Sequence, residues 1–151
     1  MNTCYGVDIV PGLVERSKEH ASNLHKILHD VDRSDDDSDN AFLQKNQAEL
    51  HFLLGDIHQP NNELRDILKE TTLAVCFATT WSAGNASGTS LKGRKLPKLS
   101  KALSHGLCSG CRVVIIDGKL DEEDDFRWKG DLRIQCPDTA PYSVASLYHK
   151  Q

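Results

Sequence analysis

Residues 5 to 10 read YGVDIV, a run of β-forming residues with one carboxylate, Asp8, inside it. Pro11 and Gly12 follow, and from there to about residue 30 apolar positions recur at helical spacing. A proline suits the first turn of a helix, because the N–H that it lacks would have no intrahelical partner. This stretch therefore predicts a strand that leads directly into a helix, with an acid near the junction.

The rest of the chain continues the alternation of strands and helices. The apolar run TLAVCFATT is typical of a strand buried on both faces, and residues 119–130 read as a charged connector. Alternating strands and helices predict an α/β fold with a mostly parallel sheet, and the last two strands predict a C-terminal antiparallel pair. The predicted strands are 5–10, 48–56, 72–80, 111–117, 131–137 and 142–150, and the predicted helices are 11–30, 61–70 and 95–107.

Composition narrows the class of protein. The chain has 151 residues and a net charge of -4, which predicts one domain (1–151) without a global basic field for nucleic acid. Residues 30–47 begin with an acidic run that we expect to form a flexible loop. No apolar run reaches the roughly 20 residues of a membrane span. The five cysteines are an odd number, which favours reduced thiols and a nuclear or cytoplasmic location.

Polar side chains stand where three of the predicted strands end. Asp8 ends the first, Asp56 and Ile57 follow the second, and FATTW (77–81) ends the third. Ligands of open parallel sheets bind at the carboxyl ends of the strands. A carboxylate there can accept hydrogen bonds from vicinal ribose hydroxyls, and an aliphatic neighbour can cover a purine face. Together these ends predict a nucleoside site.

These motifs carry a resemblance to a known family. YGVDIVPGLVERSKEHA, LHFLLGDI, LAVCFATTW, LSHGLCSGCRVVIID and the terminal strand pair are similar to class I S-adenosylmethionine-dependent methyltransferases. Within that class the chain most resembles the histone-lysine methyltransferases of the disruptor-of-telomeric-silencing (Dot-one-like) type. The resemblance runs from about residue 5 to residue 148 and implies a Rossmann-like fold with S-adenosylmethionine as the methyl donor.

The resemblance implies roles for residues in the first half of the chain. Asp8 matches the acid that holds the ribose of the donor, and Ile9 follows it. Asp56 and Ile57 match the pair that holds the adenine, and Phe77 is a further donor contact. No metal ligand is implied.

The same resemblance assigns the catalytic segment to Thr79, Thr80 and Trp81, with Trp81 near the channel of the target amine. The chain departs from the family at the end of that strand. Where the family usually has an asparagine near the methyl group, this chain has Phe77-Ala78.

A larger departure concerns the start of the fold. The family has a strand and a glycine-rich turn before the ribose acid, and this strand lies between those predicted here at 5–10 and 72–80. Only seven residues precede Asp8. We expect an incomplete, truncated methyltransferase domain, or one that obtains this strand from another chain, with two strand edges left unpaired.

The function that follows is methyl transfer to a protein lysine, with histone or nucleosome as the partner. Two alternatives remain open: a non-catalytic binding module of the same fold, and a methyltransferase for RNA or a small molecule. The basic stretch 92–101 could contact nucleic acid or serve as an ordinary solvated helix face. Cys108 and Cys111 form a C-x-x-C without a second pair, which favours a structural turn over a zinc or redox site.

Overall fold

A computed structural model describes residues 3–31, 49–78, 94–121, 124–134 and 143–151. Within these ranges the chain forms three helices and six strands. It divides into two compact units, Met1–Gln59 and Pro60–Gln151. None of the described helices combines the length and the apolar character that crossing a membrane requires.

The first unit is a single strand–helix–strand motif. Strand β1 (Thr3–Asp8) leads into helix α1 (Pro11–Val31), and strand β2 (Glu49–Leu54) returns parallel to β1. Gly6 lies opposite Phe52, and a Cβ atom on Gly6 would lie only 2.6 Å from the Phe52 ring. A glycine in the middle of β1 therefore lets an aromatic ring lie directly against the backbone of this strand.

The second unit is a four-stranded sheet with two helices. Its elements in chain order are α2 (Asn62–Glu70), β3 (Leu73–Phe77), α3 (Pro97–Gly106), β4 (Arg112–Ile116), β5 (Phe126–Ile134) and β6 (Ser143–Lys150). The strand order in the sheet is β3-β4-β6-β5. β3 and β4 are parallel, whereas β6 is antiparallel to both of its neighbours.

The core of the second unit lies between the sheet and α3. Leu99 and Leu103 of α3 are each 1% exposed, and Val113 and Ile115 of β4 are fully buried. A Cβ atom on Gly118, just after β4, would contact Leu96, Ala78 and Ile115 at 2.6, 2.8 and 3.3 Å, so these groups pack closely.

The α/β class predicted from the sequence is confirmed, and so is the antiparallel C-terminal pair, formed by β5 and β6. The expectation of a mostly parallel sheet is not confirmed. Of the four strand pairs in the described residues, two are parallel and two are antiparallel. The physical reason is that β6 inserts between β4 and β5 and runs against both.

Two local predictions were wrong. The stretch 119–130 was predicted as a connector, but β5 already begins at Phe126. The stretch 72–80 was predicted to be buried on both faces, but Leu73, Val75 and Phe77 are 52%, 52% and 68% exposed. β3 is an edge strand of its sheet, and one of its faces stays accessible to solvent.

Candidate functional site at the ends of β1 and β2

The carboxyl ends of β1 and β2 lie side by side. Asp8 is in register with Leu54, and the N–H of Gly55 donates a hydrogen bond of 3.0 Å to the carbonyl oxygen of Asp8. Asp56 is the next residue after Gly55. The two acids that the sequence singled out therefore follow neighbouring parallel strands at the same edge of one small sheet.

Each acid is held by a local turn. The N–H of Val10 donates to Oδ1 of Asp8 at 2.8 Å, and the N–H of His58 donates to Oδ1 of Asp56 at 2.8 Å. Within the described residues, no further hydrogen bond to either carboxylate is formed. Both side chains are half-buried. Each turn therefore fixes its carboxylate while one oxygen remains able to accept a hydrogen bond from a ligand.

Aliphatic side chains stand next to both acids. Ile9 is 64% exposed, and Ile57 is half-buried. Exposed isoleucine beside a fixed carboxylate offers an apolar surface and a hydrogen-bond acceptor together. This combination suits a ligand that has a flat apolar ring and hydroxyl or amino groups.

The remaining predicted site residues belong to the second unit. Phe77 is the last residue of β3, opposite Ile116, and is 68% exposed. Thr79, Thr80 and Trp81 lie outside the described residues. Asp8, Ile9, Asp56 and Ile57 are thus the predicted site residues that the described structure brings to one strand edge.

The residues that flank segment 79–93 are tied together. Ala78 is fully buried and donates its N–H to the carbonyl oxygen of Ile116 at 2.9 Å. Nη2 of Arg94 donates to the carbonyl oxygen of Ala78 at 3.2 Å, and the N–H of Lys119 donates to the carbonyl oxygen of Arg94 at 2.8 Å. This role of Arg94 was missed from the sequence, where the residue counted only as part of a basic stretch.

The basic stretch 92–101 is partly engaged within the chain. Arg94 bonds to backbone, and Nζ of Lys95 pairs with Asp121 at 3.2 Å. Lys98 and Lys101 are exposed on α3, and residue 92 lies outside the described part of the chain. Lys98 and Lys101 are the lysines of the described stretch that form no ion pair with a described residue, so the proposed nucleic-acid contact rests mainly on them.

The C-x-x-C segment forms a turn. The N–H of Cys111 donates to the carbonyl oxygen of Cys108 at 3.2 Å, and Gly110 has a φ of 91°, which favours glycine. Both thiols are free, and burial raises the pKa of Cys111. Across the ranges that the structure describes, no three histidine, cysteine or acidic side chains group as metal ligands. These contacts favour the structural turn.

A scan against protein-family models finds no match to the sequence, and a search of curated proteins finds none either.

Proposed function

We propose that the chain belongs to a Rossmann-like domain of a class I S-adenosylmethionine-dependent methyltransferase, related to the Dot-one-like type that modifies histone lysines. The observation that carries this proposal is the pairing of the β1 and β2 ends, which holds Asp8 and Asp56 at one sheet edge. The resemblance of the sequence motifs supplies the family, and the strand ends supply a physical basis for nucleoside binding.

The residues at this edge fit the adenosine half of the donor. The free oxygen of Asp8 would accept from a ribose hydroxyl, and that of Asp56 from the exocyclic amine of adenine. Ile57 would cover one face of the purine. When bound, the donor supplies an electrophilic methyl group for an unprotonated amine. The protein contributes mainly alignment and exclusion of water, because this transfer needs little acid–base chemistry.

Strand pairing offers further support. The resemblance implies one more strand beside β1 and beside β3. Among the described residues, β1 pairs only with β2, and β3 pairs only with β4, so each has an edge without a strand partner. The resemblance also implies the antiparallel terminal pair formed by β5 and β6.

The first test is titration of the chain with S-adenosylhomocysteine, followed by calorimetry and by saturation-transfer NMR for weak binding. Asp8→Asn keeps the oxygen that accepts from Val10 but removes the charge, so the turn persists. We expect this variant to bind about tenfold more weakly, the loss typical of one charge-assisted hydrogen bond. Asp66→Asn, an exposed acid paired with Lys69 on α2, is the matched control. Equal affinity of Asp8→Asn and the wild-type chain, or no saturable binding by the wild type, refutes the proposal.

The second test concerns the methyl acceptor. Nucleosomes, RNA and small amines are each incubated with the chain and with isotopically labelled donor, and the products are analysed by mass spectrometry. Label on a histone lysine supports the proposed substrate class and a nuclear role. Label on RNA or on small amines alone would instead establish the alternative substrate class.

One structural observation favours a second candidate, a non-catalytic binding module of the same fold. The turns at Asp8 and Asp56 give both acids a structural role that needs no donor. A folded chain that does not bind the donor would favour this module.

A further inference from the structure

The sheet of the second unit has one face turned away from α3. Val113 and Ile115 of β4 point toward α3, because Ile115 lies against the same Gly118 position as Leu96, the residue before α3. Side chains alternate along a strand, so the neighbours of these two residues point to the opposite face. We call this second surface the open face.

Exposed apolar side chains run along β3 on the open face. Leu73, Val75 and Phe77 are in register with Arg112, Val114 and Ile116 of β4. On that strand Arg112 is exposed and Val114 is half-buried, whereas Ile116 is buried. The three β3 side chains are each more than half exposed. We call them the apolar strip. The other edge strand of this sheet differs, because β5 carries charged residues and a bulge, the usual protection of an exposed edge.

Basic side chains cross the open face at one end of the strip. Arg112 of β4 is directly opposite His149 of β6, and His149 is directly opposite Arg127 of β5. Residues in direct register point to the same face of a sheet and have Cβ atoms about 5 Å apart. These three residues therefore form a continuous line across three strands, which we call the basic row.

Among the described residues, the basic row has no acidic counterpart. Both arginines are exposed, and His149 is half-buried. None of the three takes part in a salt bridge among the described residues. An acidic partner would supply the negative charge that the two exposed arginines lack in the described chain.

The strip and the row meet at Leu73, which pairs with Arg112. From Leu73 to Phe77 the strip is about 13 Å long, the length of a helix of about nine residues. Helices are the elements that cover the faces of sheets containing parallel strands. An acidic end of such a helix, lying over Leu73, would reach the row.

We propose that the open face is the docking site of an amphipathic helix from a partner protein, with apolar residues on one side and acidic residues in its last turn. The helix runs antiparallel to β3, which brings the negative end of its dipole to the basic row. A second copy of this chain is a poorer fit, because a stable dimer needs roughly 800 Å² per partner, whereas a weakly bound helix needs only the strip and the row. This inference is independent of the proposed methyl transfer.

The probes are two synthetic helical peptides of about 14 residues, long enough to span the strip. Both carry the same leucine stripe; one has glutamates in its last turn, and the other has lysines. Fluorescence anisotropy of the labelled peptides measures binding to the full chain. We expect the lysine peptide to bind at least about tenfold more weakly, because its charges oppose the row.

Substitutions test the basic row and the apolar strip separately. Arg112→Glu should weaken the glutamate peptide by about tenfold or more, whereas Lys98→Glu should leave it unchanged. Lys98 is an exposed residue of α3, so its reversal changes the net charge equally. Val75→Asp places a charge in the strip and should weaken both peptides. The double variant Arg112→Glu, Arg127→Glu should bind the lysine peptide more tightly than the glutamate peptide. Unfolding of the variant would not produce this reversal of affinity.

The proposal is overturned if the two peptides bind the wild-type chain alike, or if Arg112→Glu behaves like Lys98→Glu. A duplex DNA of about 20 base pairs serves as the competing occupant. DNA binding that depends on Arg112, together with no peptide binding, would assign the basic row to nucleic acid instead. Circular dichroism of each variant establishes that the chain remains folded.

Discussion

Gly118 should tolerate a methyl group less well than Gly106, the glycine that ends α3. Gly118 follows β4 by two residues, and a Cβ atom there would lie 2.6 Å from Cδ1 of Leu96, 2.8 Å from Cβ of Ala78 and 3.3 Å from Cγ2 of Ile115. Leu96 can rotate, but Cβ of Ala78 moves only with its backbone. That backbone is held by hydrogen bonds on both sides, from its N–H to Ile116 and to its carbonyl oxygen from Arg94.

The expected cost of Gly118→Ala follows from this geometry. Adding a methyl group to a packed core usually costs about 1–3 kcal/mol, and the rigid contact at Ala78 favours the upper half of that range. In a domain the size of the second unit, about 1 kcal/mol lowers the melting temperature by roughly 4–8 °C. Urea denaturation and thermal melts followed by circular dichroism measure both quantities.

Gly106→Ala is the matched control in the same unit. Its Cβ would lie 2.9 Å from Cδ1 of Leu68, the far end of a flexible side chain. Leu68 can shift, and at the last residue of α3 alanine gains part of the roughly 1 kcal/mol by which it is favoured over glycine in a helix interior, so we expect almost no net change in stability. The prediction is wrong if the free energy of unfolding of Gly118→Ala lies within about 0.5 kcal/mol of the wild-type value, or if both variants lose the same amount of stability.

Two further predictions concern the ionisable groups of the second unit. Burial, followed by the nearby Cys111, raises the pKa of Cys76 to about 11, so alkylation of the native chain at neutral pH should label exposed Cys108 before Cys76. Peptide mass spectrometry with and without urea tests this, and prompt native labelling of Cys76 contradicts it. A hydrogen bond from Lys150 is the main cause that lowers the pKa of Asp125 below its ordinary 3.8. The pair therefore stabilises the folded state above pH 3.8, and this stabilisation is lost as the pH falls through the lowered pKa. The stability gap between wild type and Lys150→Met in urea should therefore narrow from about pH 7 to about pH 2, and an unchanged gap would show that the ion pair contributes nothing.

Local pattern predicted the elements of this chain well, because the spacing of apolar residues reports on helix and strand directly. Helix α1 was predicted at 11–30 and spans Pro11–Val31; strand β4 was predicted at 111–117 and spans Arg112–Ile116. The largest error in the predicted strand boundaries was the first residue of β5. Its first residues carry charges that resemble a connector, but an exposed edge strand accepts such residues.

The strand edge that holds Asp8 and Asp56 was also predictable in part. An acid that follows a strand in an α/β pattern lies at the carboxyl edge of the sheet, which is where Asp8 and Asp56 lie. The hydrogen bonds that hold each carboxylate were not predicted, because they depend on the backbone path after the strand. The hydrogen bond from Arg94 to Ala78 was not predicted either, because it joins residues sixteen positions apart in the chain.

By itself, the sequence determined which segments are strands and helices and which acids follow strand ends, because these depend on the periodicity of near neighbours. The tertiary structure decided which strands are neighbours. The insertion of β6 between β4 and β5 aligns Arg112, His149 and Arg127 in one row, although these residues are far apart in the chain. Strand order and register arise from long-range packing, so no local pattern in the sequence predicts them.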